Sequence, residues 1–289
     1  MFMETFNMKL TTIQTGNFKL DGGAMFGVVP KVLWNRLNPA DENNLCNWAM
    51  RCLLVEINDK KILIDTGIGN KQSENFYSHY YLNGNDSLTS SLACIGIDAS
   101  QITDVLLTHL HFDHCGGAVI KNNEELMPAF PNATYYVSQT QWDHANNPNP
   151  REKASFLKEN FVPLMDHGVL KFLQEGDVLH DCMEVHLFNG HTLGMIAPLI
   201  HLPDGKKMLY GADLFPSSNH LKPNFAMGYD IQPLLTMTER ESMNQLAVHN
   251  NWYYFYEHDL NIEVSQIGLT EKGQYEAINK GMLSESLKY

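Results

Sequence analysis

The run His109-Leu110-His111-Phe112-Asp113-His114 sets three imidazoles and a carboxylate within six positions, directly after the apolar Val105-Leu106-Leu107. That is poor chemistry for the interior of a helix or strand and good chemistry for a metal. A neutral imidazole offers one ring nitrogen and aspartate an oxygen, both suited to a borderline ion such as Zn²⁺. His109, His111 and Asp113 are two apart, so they share one side of an extended segment. His114 comes next and, at a turn, is free to aim at a second ion. The spacing therefore predicts two metals. Cys115 adjoins the cluster but stays outside the expected ligand set, because the cluster already supplies enough donors.

The remaining donors stand where strands are expected to end. Residues 51–57, the turn Asn58-Asp59 and residues 60–65 read as a buried hairpin. Residues 102–108 read as the strand that feeds the cluster, and Gly116-Gly117 let the backbone turn tightly after it. Asp65 ends the hairpin, His191 follows an expected strand at 183–188, Asp213 follows one at 207–210, and His258 closes one at 252–256. Further strands are expected at 133–138, 169–173 and 196–202, and helices at 139–146, 151–160 and 236–250. Ligands delivered from strand ends onto one rim of a sheet make a rigid site. Mixed strands and helices without a linker or short repeat predict a layered α/β sandwich.

The 289 residues are 44% hydrophobic and 18% charged, the balance of an ordinary globular protein able to bury a large core. A formal charge of −13 argues against nucleic acid as a partner, because phosphate contacts need a basic footprint, and equally against an anionic membrane surface. No stretch has the apolar length to span a bilayer. Residues 1–9 lack the basic start and apolar core of a signal peptide. Cysteines 46, 52, 94, 115 and 182 are odd in number and mostly in apolar surroundings, which reads as buried free thiols in a reducing compartment. The expectation is a soluble, cytoplasmic protein.

Taken in order, His-x-His-x-Asp-His at 109–114, Gly-His-Thr at 190–192, Ala-Asp at 212–213 and the final His258 resemble the metallo-β-lactamase superfamily of hydrolases. Leu63-Ile64-Asp65-Thr66-Gly67 is similar to that superfamily's early Asp-Thr-Gly signature. The resemblance runs from about residue 50 to 260. It implies a four-layer αβ/βα sandwich forming a single domain over 1–289, with 1–49 as an N-terminal strand and a pocket or dimer loop. It also implies two divalent ions, with Zn²⁺ the expected metal. His109, His111 and His191 hold one, Asp113, His114 and His258 hold the other, and Asp213 bridges both. Asp65 is expected behind the ligands, orienting the cluster loop.

Residues 20–31, Ala40-Asp41-Glu42-Asn43, Phe130-Pro131-Asn132-Ala133 and the helix around Trp142 resemble a narrower branch, the quorum-quenching lactonases that include N-acyl homoserine lactonases. Well-studied acyl-homoserine lactonases of that branch carry a tyrosine three positions after the bridging aspartate, where it helps hold the lactone carbonyl. Pro216 stands there in this chain. Tyr229 and His220 are the candidates for the missing phenol's task. Met25, Phe26 and Val28 form an apolar loop that is expected either to cover an acyl chain or to serve as packing or a dimer contact. Asp213 and Asp113 are expected to act in catalysis, Asp213 by fixing the metal spacing and Asp113 by hydrogen-bonding the attacking hydroxide. Glu257 and Asp259 read as a solvated turn beside His258. His79, His144, His167, His180, His186, His201 and His249 read as surface or satisfied core residues.

The expected reaction is hydrolysis of an uncharged ester or lactone bearing an apolar group, by a hydroxide made available near neutral pH. A phosphotriester or aryl ester is the alternative substrate for the same metals, and a homodimer is the expected assembly. Thioester hydrolysis of the glyoxalase II type is disfavoured, because only residues 259–289 follow His258. Nuclease action is disfavoured by charge. A di-iron redox site on this fold resembles His-x-Glu-x-Asp-His, and here His111 replaces that glutamate.

Overall fold

A computed structural model of the chain describes residues 8–287. Residues 1–7, most of the stretch weighed above as a signal, lie outside the described residues. A six-stranded sheet joins β1 (Met8–Asp21), β2 (Leu45–Ile57), β3 (Lys60–Ile64), β4 (Asp104–Leu106) and, beyond a small hairpin of β5 (Val119–Asn122) and β6 (Glu125–Pro128), β7 (Thr134–Ser138) and β8 (Leu170–Leu173). Strands β1 to β3 pair antiparallel, whereas β3, β4, β7 and β8 run parallel. The second, seven-stranded sheet contains β9 (Val178–Leu179), β10 (Met183–Phe188), β11 (Met195–His201), β12 (Lys207–Tyr210), β13 (Tyr253–Phe255), β14 (Val264–Leu269) and β15 (Tyr275–Gly281), in reverse spatial order. Only β12 and β13 are parallel there, because the helix Pro233–Asn250 crosses between them.

Alternation along β2 explains the layering. Leu53, Val55 and Ile57 enter the apolar cluster that also holds Val185, Ile196 and Leu199 of the second sheet. Cys52 and Leu54 leave on the opposite face and pack with Leu92, Ile97 and Leu164 from the helical segments outside. Successive side chains of a strand point to opposite faces, so a strand covered on both reads as a continuous apolar run. The result is an αβ/βα sandwich.

The helix Pro233–Asn250 starts on a proline, whose missing N–H costs nothing at a first turn, and stops at Asn251 in a left-handed conformation. Its buried Thr236, Arg240, Met243, Asn244 and Ala247 recur at helical spacing. Two of the three polar ones clamp the loop after β12: Arg240 Nε and Nη1 donate to the carbonyls of Leu214 and Phe225 at 2.6 and 2.8 Å, and Asn244 Nδ2 donates to Leu221 O at 2.7 Å.

Two segments differ from the sequence reading. Residues 151–160 form no α-helix, only short 3₁₀ turns at Lys153–Ser155 and Lys158–Asn160. The side chain of Asn149 accepts the backbone N–H groups of Arg151 and Glu152, and this local bonding competes with helix propagation. Strands β14 and β15, unassigned from the sequence, close the second sheet beyond the last candidate ligand. Among the described residues no helix is long and apolar enough to cross a membrane. All five cysteines are free, and only Cys94 is exposed.

Candidate metal centre

The loop after β4 is zipped to the end of β3. Asp65, in the left-handed region at φ 59°, accepts the N–H and hydroxyl of Thr108 at 2.8 and 2.7 Å. Thr66 N–H and Oγ1–H return to the carbonyl of His114. Between these anchors His111 is extended (φ −66°, ψ 151°) and caps a single helical turn, Phe112–Cys115. His109 and His111 therefore project from extended backbone, and Asp113 and His114 from a helical turn. One six-residue run thus feeds two separate groups of donors.

The other three candidates arrive from the second sheet. His191 follows β10, held from behind by Glu239, whose carboxylate accepts the N–H groups of Asn189 and Gly190 at 2.8 and 3.0 Å. Gly190 packs directly on the helix. A side chain there would place its Cβ 2.5 Å from Thr236 N and 2.6 Å from Thr236 Cα. Asp213 follows β12 across Ala212, a non-glycine residue at φ 41°. Such a conformation costs about 1–3 kcal/mol and persists only where the surroundings impose it. His258 follows β13, and its N–H donates to Pro216 O at 2.9 Å.

All seven are buried and converge. His109 Nε2 lies 3.0 Å from His111 Nδ1, which lies 3.2 Å from His191 Nε2. Asp213 Oδ2 faces that set, 3.0 Å from His191 Nε2 and 4.0 Å from His109 Nε2. Its other oxygen, Oδ1, faces His258 Nε2 at 3.2 Å and His114 Nε2 at 3.6 Å. Asp113 Oδ2 completes the second set, 3.7 Å from His114 Nε2 and 3.8 Å from His258 Nε2. Donors about 2.0–2.1 Å from a tetrahedral ion sit roughly 3.3–3.4 Å apart. The spacings here bracket that value, and Asp213 Oδ1 is buried without a hydrogen-bond partner. The donor set fits divalent ions.

The opposite nitrogens of four of the five imidazoles are tied down, which selects the tautomer that turns a lone pair inward, whereas His111 Nε2 is buried without a hydrogen-bond partner. His109 Nδ1 donates to Thr108 Oγ1 at 3.0 Å, His191 Nδ1 to Asp230 Oδ1 at 2.9 Å, and His258 Nδ1 to the carbonyl of Ala49 at 2.7 Å. His114 Nδ1 sits 3.1 Å from both Asp65 Oδ2 and Glu257 Oε2. Burial pulls His109 well below the usual histidine range. His191 is also pulled down by burial, but Asp213 and Asp230 outweigh this and push it up to about 10.

Glu257 and Asp259 are not a solvated turn. Glu257 is fully buried and accepts Tyr210 O–H at 2.7 Å, and Asp259 accepts from Ser218, Asn261 and Ile262. Burial, with His114 and Asp65 adding opposite electrostatic effects, pushes the Glu257 carboxyl up to about 7.

Above the donors opens a cavity of about 380 Å³. Phe18, Leu20, Met25, Phe112 and Met227 give it an apolar wall, and Tyr80, Tyr229, Arg151 and Glu152 a polar one. Met25 and Tyr229 thus reach the cavity. Phe26 and His220 support it from behind, and this corrects their expected contact with substrate. Phe26 is 0% exposed, stacked between Trp34 and His220, where the apolar ring is best buried. Both nitrogens of His220 are occupied, by Ser217 Oγ and by Met25 O. Val28 is 93% exposed and lies off the wall, because the chain turns at Gly27 with φ 56°. Sequence reasoning missed Glu152, Asp230 and the Ala49 carbonyl, and no local pattern marks them.

The family model for the metallo-beta-lactamase superfamily matches residues 51–258. An N-acyl homoserine lactonase of Bacillus cereus is 23% identical over 236 residues, covering 76% of this chain and 85% of that protein. An N-acyl homoserine lactonase of Rhizobium johnstonii is 25% identical over 169 residues, and the chain spans 61% of that relative's length. Among solved structures, a probable metal-dependent hydrolase from Staphylococcus aureus superposes with a TM-score of 0.85 at 27% identity, covering 96% and 99% of the two chains. A dizinc quorum-quenching lactonase, AidC, in complex with a product, N-hexanoyl-L-homoserine, gives 0.79 at 22% identity, covering 97% of each.

Proposed function

The chain belongs to the metallo-beta-lactamase superfamily and is a metal-dependent hydrolase, and from that premise we propose that it uses a pair of divalent ions to open the ring of an N-acyl homoserine lactone or a close relative. The observation that carries the reading is Asp213, whose two oxygens face two separate imidazole sets beneath a largely apolar cavity. Zinc is the proposed metal, in keeping with the histidine-rich donors and the dizinc neighbour.

Divalent ions held by these donors would supply Lewis acidity, making a water easier to deprotonate and offsetting negative charge on the attacked and leaving oxygens. The chain's own groups do the rest. His109, His111 and His191 form one set of donors, Asp113, His114 and His258 the other, and Asp213 spans them. Asp113 turns Oδ2 toward His114 and His258, which leaves Oδ1 to accept a proton from the attacking water. Phe18, Leu20, Met25 and Met227 cover an acyl group and exclude bulk water. Tyr229 takes the carbonyl-holding task that Pro216 lacks a phenol to do. Burial pushes its phenol up, so it remains a donor at neutral pH.

Pro216 favours a second reading, a phosphotriester or aryl ester, because its carbonyl is spent on His258 and its ring donates nothing. A panel on zinc-loaded protein separates the two: short- and long-chain acyl lactones, a phosphotriester, an aryl ester and a glutathione thioester. Lactones turned over best supports the first reading, and preference for the triester or aryl ester replaces it. The reading includes a cytoplasmic site, supported by four buried free thiols, and a homodimer, supported by exposed Val28, Val32 and Leu33. Sedimentation of the purified chain tests the dimer.

A further inference from the structure

Glu152 carries a carboxylate oxygen that the metal centre leaves unexplained. Its Oε2 accepts from His144 Nε2 at 2.5 Å and Asn149 Nδ2 at 2.8 Å, but Oε1 is buried without a hydrogen-bond partner. Facing Oε1 at 3.8 Å is His111 Nε2, also buried and without a hydrogen-bond partner. Buried polar groups are almost always paired, so two that face each other mark a built contact. His111 also differs from the other four imidazoles in presenting Nδ1 to the donor cluster. Their second nitrogens meet acceptors at 2.7–3.1 Å, whereas the second nitrogen of His111 has no hydrogen-bond partner and faces Glu152 Oε1 at 3.8 Å.

The segment that carries Glu152 also reaches another donor of the same set. Arg151 donates through Nη2 to the carbonyls of Gly228 and Asp230, and Asp230 Oδ1 holds His191 Nδ1. Farther along, the Phe156 ring lies 4.8 Å from that of His111. Residues 149–156 therefore strap His111 to His191 from outside and, through Arg151, Glu152, Ala154 and Ser155, form one wall of the cavity.

We infer that Glu152 is the positioning residue for His111: it accepts the Nε2–H, fixes the tautomer that turns Nδ1 inward, and so couples metal occupancy to the 149–156 wall. Metal-ligating histidines characteristically give their second N–H to such an acceptor, and losing it costs about 10–100-fold in metal affinity. The inference rests on the dinuclear reading above. Its test uses the full chain and zinc alone, titrated against a chelator, with Glu152→Ala and Glu152→Gln beside the wild type. In Glu152→Ala one of the two zinc affinities falls about 10–100-fold while the other holds. Glu152→Gln, which keeps shape and an acceptor oxygen, falls in between. Trypsin cleavage after Arg151 and Lys153 slows on zinc addition to the wild type, and that protection is lost in Glu152→Ala and weakened in Glu152→Gln. Wild-type affinity for both ions and unchanged zinc protection in Glu152→Gln overturns the inference, and that variant decides should Glu152→Ala fail to fold. A wild type that binds fewer than two ions overturns the dinuclear reading instead.

Discussion

Replacing Asp213 by alanine tests the centre most directly, because it is the one donor whose two oxygens face different imidazole sets. A zinc ion held by four protein donors is bound by about 10–16 kcal/mol. One donor in four is then worth about 2.5–4 kcal/mol, or roughly 10²–10³ in affinity. A bridging carboxylate imposes that loss on both ions together, whereas His191→Ala imposes it on one. The Asp213→Ala protein, dialysed against limiting zinc and measured by metal analysis, is expected to lose both ions and nearly all hydrolysis. His191→Ala is expected to retain one. Without its carboxylate the centre also loses the counter-charge within 3.0–3.6 Å of His191, His258 and His114. Loss of only one ion from Asp213→Ala refutes the bridge, and two ions held at wild-type affinity refute any ligand role.

Zinc uptake is expected to release protons: Asp213 and Asp230 hold His191 up to about 10 against the pull of burial, so in metal-free protein its Nε2 is protonated at neutral pH and must give up that proton to bind. Apparent affinity then rises roughly tenfold per pH unit for each proton displaced, below the raised value. Calorimetry in buffers of different ionisation heat reads the count, and zero protons released contradicts the account. Gly190→Ala pushes a Cβ to 2.5 Å from Thr236 N, and overpacking of this kind costs about 1–3 kcal/mol. A lowered Tm together with weaker retention of one zinc is expected, and an unchanged Tm refutes the close approach. Tyr229→Phe is expected to lower kcat/KM on acyl lactones about tenfold, less than a fully enclosed donor provides, because Tyr229 is 39% exposed. Unchanged kinetics remove Tyr229 from the reaction.

The candidate donors were legible in the sequence because their chemistry is local, and the structure brings all seven together. Three imidazoles and a carboxylate in six positions have few other uses, and an apolar run ahead of each later candidate marked a strand end that could present it. The hairpin of β2 and β3, the strands β10 to β13 and the helices expected at 139–146 and 236–250 followed from period and turn residues for the same reason, the second helix starting three residues earlier in the structure, at Pro233. The groups that hold the donors in place were not legible. His191 meets Asp230 39 residues on, and His258 meets the Ala49 carbonyl 209 residues back. Glu152 sat in a stretch that reads as helix, and Glu257 in one that reads as solvated turn. Phe26 and Val28 have the same apolar character two residues apart, yet one is fully buried and the other 93% exposed. Periodicity says that a residue has a face, and chemical type says what it can bind. Only the packing of two sheets and a crossing helix decided which carboxylate lies behind which imidazole, because those contacts depend on distances that no local pattern encodes.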